Sequence, residues 1–105
     1  MKLTSIDQGF LVMSDENMEG RRLFASPDAA VIHITVQSGH AIEPHAASVD
    51  MEFFVLEGRG LFSVGGESAE AGPGVLVESP RDIPHGIKNP GPGPLRVLAI
   101  KNSGK

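Results

Sequence analysis

Two histidines stand directly after prolines in distant parts of the chain, Pro44-His45 and Pro84-His85. Proline fixes its own φ, removes a backbone donor and pushes the preceding residue into extended geometry. Each imidazole is therefore expected at or near the start of a strand, at the rim of a sheet. A neutral imidazole there donates one hydrogen bond and accepts another, titrates near about pH 6–7, moves protons, or ligates a divalent metal. Around the pair, Met51, Phe53 and Ile87 supply apolar wall, so one reading is a ligand pocket with two polar contacts at its mouth. The other two histidines read as background: His33 as a residue on a strand face, His40 as an exposed loop residue.

The elements that must position these residues are short strands. Val75 to Val77 favours β structure, Ser79-Pro80 marks a turn, and Ile83 to Ile87 is extended again. Upstream, Ala30 to Val36 alternates, with Ile32, Ile34 and Val36 on one face and Val31, His33 and Thr35 on the other. Met51 to Glu57 is a further strand, with Met51, Phe53 and Val55 on one face and Glu52, Phe54 and Leu56 on the other. Both of its faces are mostly apolar, which predicts cover on both sides and hence a homodimer. Leu61–Val64 and Ser68–Ala71 flank Gly65-Gly66-Glu67 as a hairpin, and Leu95–Ile100 is the last strand. His40 to Val49 reads as a loop or irregular strand, and Arg21-Arg22 as a solvated strand end. Residues 1–20 form an edge strand or an arm over a core spanning 21–101, while Asn102 to Lys105 frays. The whole, residues 1–105, is one domain.

Composition agrees. Thirteen glycines and eight prolines in 105 residues suit many short strands and turns rather than helices. A net charge of −4 offers no basic stripe for nucleic acid. No apolar run approaches the ~20 residues that span a bilayer, and the first residues lack the apolar core of a signal peptide. Cysteine is absent, which removes disulfides and thiolate ligands. The expectation is a cytoplasmic protein with neither nucleic-acid nor membrane partner.

The residues from Gly74 to Asn89 resemble the second motif of the cupin superfamily, G-x5-P-x-G-x2-H-x3-N, at Gly74, Pro80, His85 and Asn89, with Asp82 in the usual glycine place. Gly39, His45 and Gly58 are similar to the first motif, G-x5-H-x-H-x3-E-x6-G. The resemblance implies an all-β fold, an antiparallel double-stranded β-helix or jelly-roll barrel. In metal-binding members it also implies three histidines and a glutamate around a divalent ion, here Zn, Ni, Mn or Fe. Position by position, His45 and His85 match ligands, whereas Ala47 and Met51 replace the other two. A third ligand would be Glu43, if Pro44 leaves the strand alternation intact, or Glu52, if a bulge falls at Val49-Asp50. The leading expectation is a small-molecule-binding barrel with a pocket of His45, His85, Met51, Phe53 and Ile87. The alternative is a metal-dependent enzyme, a dioxygenase or isomerase acting on a small acid or sugar.

Overall fold

In the computed structural model, which describes residues 1–103, one 3-10 turn (Ile6–Gln8) precedes ten strands. These are β1 (Phe10–Ser14), β2 (Met18–Ala25), β3 (Ala29–Val36), β4 (Ala41–His45) and β5 (Asp50–Glu57). There follow β6 (Gly60–Val64), β7 (Glu67–Ala71), β8 (Leu76–Ser79), β9 (His85–Lys88) and β10 (Leu95–Asn102). They make two antiparallel sheets, ordered β1-β2-β3-β10-β5-β8 and β4-β9-β6-β7. This is the double-stranded β-helix expected from the sequence. Among the described residues no helix is long and apolar enough to cross a membrane.

The alternation of β3, β5 and β10 builds the core between the sheets. Cross-strand pairing sets their inner side chains in rows. Val36 and Leu95 face each other at one end; next come Ile34, Val97 and Val55; then Ile32, Ala99, Phe53 and Val77. Ala30, Lys101, Met51 and Ser79 form the row at the opposite end. The deep rows are sealed: Val36, Leu95, Val97 and Val55 have no solvent exposure. Full burial of each such side chain stabilises by about 1.5–3 kcal/mol. From the smaller sheet, Ile87 and Phe62 close over them, with Phe62 6.1 Å from Phe53 between ring centroids.

The deep end is also locked by Asn89. Its Nδ2 donates to the carbonyls of Val36 (2.8 Å) and Gly93 (2.9 Å), and its Oδ1 accepts from the Gly91 N–H (2.9 Å). The proline-rich loop between β9 and β10 is thereby tied to β3. The hairpin between β6 and β7 turns at Gly65-Gly66, with Gly65 at φ +60. The first strand lies at the edge of its sheet, paired to β2. The last residues differ from expectation. β10 runs on to Asn102, and Ser103 donates from its N–H (2.8 Å) and its hydroxyl (3.0 Å) to the Asp28 carbonyl. These bonds hold the segment that the sequence suggested would fray; Gly104 and Lys105 lie outside the described residues.

Candidate functional site

His45 ends β4 and His85 opens β9, and the two are directly paired across the strands. Their rings meet edge to face, with centroids 4.8 Å apart and planes at 67°. The pairing exists because β4 is irregular. Ile42 opposes Ile87 and His45 opposes His85, so three steps on β4 match two on β9. The extra residue is a bulge at Glu43-Pro44, on an edge strand where proline's missing N–H costs no ladder bond. The bulge turns Ile42 and His45 to the same inner face. It also settles Glu43. The register break anticipated at Pro44 occurs, Glu43 is exposed, and it does not line the cavity beside His45.

Gly86 makes this possible. A Cβ there would lie 3.1 Å from the Ile42 carbonyl oxygen and 3.1 Å from the Pro44 nitrogen. The turn leading into β9 carries Asp82 in the left-handed region, φ 67, with its N–H donating to the Ala47 carbonyl at 2.7 Å. Aspartate tolerates that conformation better than most residues. At the same corner, Asp50 accepts from the Arg81 backbone N–H (2.9 Å) and faces its guanidinium. The hydrogen bonds from Arg81 hold the Asp50 carboxyl below its ordinary range.

His85 is 3 % exposed and sits between His45 and Phe53, whose ring centroid is 5.1 Å away. Its Nδ1 is hydrogen-bonded to the Ser79 hydroxyl at 2.9 Å. His45 donates from Nδ1 to the Glu43 carbonyl at 3.1 Å in the Nδ1–H tautomer. In both rings Nε2 is then the nitrogen left for a ligand. Burial, and secondly the neighbouring His45, pushes the His85 pKa below its ordinary value. His85 is therefore a neutral imidazole at physiological pH.

Both histidines open onto a cavity of about 670 Å³ between the sheets. Met51, Phe53 and Ile87 line it, as do Ile32, Ile34 and Ala47. All five residues expected to form the pocket are brought together. His40 and His33 are not among them: His40 belongs to the opposite end of the smaller sheet, and His33 to the outer face of the larger one. Glu52 is on that outer face too, opposite Glu78 and Ile100, because no bulge interrupts β5 at Val49-Asp50. Burial, with Asp50 and Glu78 adding like charge, raises its carboxyl pKa.

Three residues escaped the sequence reading. Ser79 looks like turn chemistry beside Pro80, yet it pairs with Met51 and is 2 % exposed. Arg22, expected as a solvated strand end, lines the cavity, and so does Lys101. A signal for Arg22 was present: it alternates with Gly20 on β2, and Gly20 is buried.

The Cupin domain family matches residues 32–101. The chain belongs to the cupin family. No curated protein matches it. Among solved structures, this cupin is similar to KdgF from Halomonas sp., with 17% identity, 99% of this chain and 96% of that one covered, and a TM-score of 0.86. It is similar to TT1209 from Thermus thermophilus, with 24% identity, 98% of each chain covered and a TM-score of 0.85. The polyketide cyclase RemF from Streptomyces resistomycificus gives 21% identity, 99% and 80% coverage, and a TM-score of 0.83. At these identities the likeness speaks for the fold.

Cupins often carry a divalent metal, and the side chains present here do not fit one. The rim offers His45 and His85, but Ala47 brings no donor and Met51 only a thioether, which suits soft ions. Catalytic zinc or iron sites take three protein ligands. Among the described residues, no group of three or more His, Cys, Asp or Glu side chains is placed to hold an ion.

Proposed function

We propose that this cupin binds a small organic molecule in the cavity between its sheets. His45 and His85 supply polar contacts at the mouth, while Met51, Phe53 and Ile87 form the apolar wall. The observation that carries the reading is the cavity of about 670 Å³ with two imidazoles converging on it. That size lies within the range of pockets that enclose small ligands. Ser79 fixes the tilt of the His85 ring and the Glu43 carbonyl fixes that of His45, so both Nε2 atoms are oriented before a ligand arrives. Such preorganisation lowers the ordering cost of binding.

The test uses a neutral aromatic probe, 2-naphthalenemethanol. The chain has no tryptophan or tyrosine, so naphthalene fluorescence is read without protein background. Saturable binding is expected, weakened about tenfold or more by Ala47→Phe, which fills the cavity rim. Absence of binding, or an affinity indifferent to Ala47→Phe, overturns the pocket. Chelation with EDTA should leave the affinity unchanged; an affinity that collapses on chelation would restore a metal to the site.

We further propose that a second copy covers the outer face of the larger sheet. Leu98, Phe54 and Leu76 stand in one row there, half-buried to 50 % exposed. Light scattering at micromolar concentration should give twice the chain mass, and Leu76→Lys should reduce it. A monomeric wild type refutes the dimer.

A further inference from the structure

The chain carries 13 acidic and 9 basic residues, yet no Asp or Glu lines the cavity between its sheets. Among the described residues, the charged ones that do line it are Arg22 and Lys101. Register puts both on the inner face: Arg22 pairs with Ile32, and Lys101 with Ala30 and Met51. They stand on β2 and β10, either side of β3, with strand axes about 10 Å apart. Two long side chains can close on one group across that gap.

Ion pairing divides the basic residues into two groups. Arg21, Arg59, Arg81 and Arg96 each face a carboxylate, from Glu19, Glu70, Asp50 and Glu57. Among the described residues, Lys2, Arg22, Lys88 and Lys101 have no carboxylate within ion-pair distance, and of these four Arg22 and Lys101 line the cavity. The Arg22 guanidinium carbon lies 5.0 Å from the Phe10 ring centroid, a stacking contact that steadies the group and leaves its in-plane N–H donors open. Below them the wall is apolar, from Ile32, Ala99 and Phe53.

Resting on the pocket reading above, we propose that the occupant is an organic carboxylate, its apolar body between the sheets and its anionic group held at the mouth by Arg22 and Lys101. Guanidinium matches a carboxylate with two parallel hydrogen bonds, and the lysine adds a mobile second charge. The pocket's lack of carboxylates removes the repulsion that would otherwise oppose an anion in a chain of net charge −4.

The experiment compares 2-naphthoate with 2-naphthalenemethanol, which share the ring system and differ in the charged group. The wild type is expected to prefer naphthoate by about tenfold or more, with the preference shrinking as salt is raised to about 0.5 M. In Arg22→Gln/Lys101→Gln the ratio of the two affinities should fall to within about twofold. In Arg59→Gln/Lys88→Gln, which changes net charge equally away from the cavity, the ratio should persist. If the alcohol binds as well as the carboxylate, or if the preference survives the loss of Arg22 and Lys101, the carboxylate assignment fails while the pocket stands. If neither probe binds, both fall together. Should the double variant fail to fold, Lys101→Gln alone and the salt dependence of the wild type carry the same comparison.

Discussion

His33 is a buried imidazole outside the cavity whose Nε2 has no hydrogen-bond partner among the described residues. It is 2 % exposed. Burial, then the positive charge of Arg96, pushes its pKa down, with Glu19 opposing. The unfolded chain takes up a proton near the ordinary value of 6.5, whereas the folded chain resists until lower pH. Stability is therefore present above that value and drains away as pH falls through the folded pKa. His85, also lowered, adds to the same slope. Denaturant midpoints should drop between about pH 7.5 and 5.5. His33→Leu should flatten part of that slope and raise stability by about 1–2 kcal/mol. A slope unchanged by the substitution would assign the effect elsewhere. Ser79→Ala strands His85 Nδ1 and should cost about 1–3 kcal/mol in denaturant titration. At this scale the two Pro-His pairs were legible because proline constrains the backbone from the sequence itself. Ser79 and Arg22 were not, because which way each points depends on a strand partner distant in the chain.

Stretches that keep a strict alternation, β3 and the Asp50–Val55 part of β5, could be read residue by residue, down to the faces of Phe53 and His33. β4 could not. Its bulge adds one residue, and a period-2 argument then assigns every residue beyond it to the wrong face. Glu43 was a candidate ligand for that reason. The bulge rests on Gly86, where backbone and proline ring come within 3.1 Å of an added Cβ. Gly86→Ala should force β4 outward, at a cost of about 1–3 kcal/mol, and separate the His45 and His85 rings. The measurement is the thermal midpoint, together with the imidazole proton shifts of both histidines. Unchanged shifts would mean that the bulge tolerates the methyl group.

For the molecule as a whole, antiparallel pairing with β3 and β5 runs along β10, and Leu95, Val97 and Ala99 have no exposure. By contrast β1, β4, β7 and β8 each leave one edge unpaired within their sheets. Amide exchange should be slowest in β3, β5 and β10 and markedly faster in the edge strands, the order expected when opening free energy follows burial. Fast exchange across β10 would contradict a core centred there. The glycines, prolines and paired motifs announced this architecture from the sequence. They did not announce that Val36 and Leu95 stopper one end of the barrel while His45, His85 and Lys101 frame the other. A guest that passes only between those framing residues must leave before a replacement is seated. Chasing bound naphthoate with any excess of a competitor should thus give one release rate, however concentrated the competitor is.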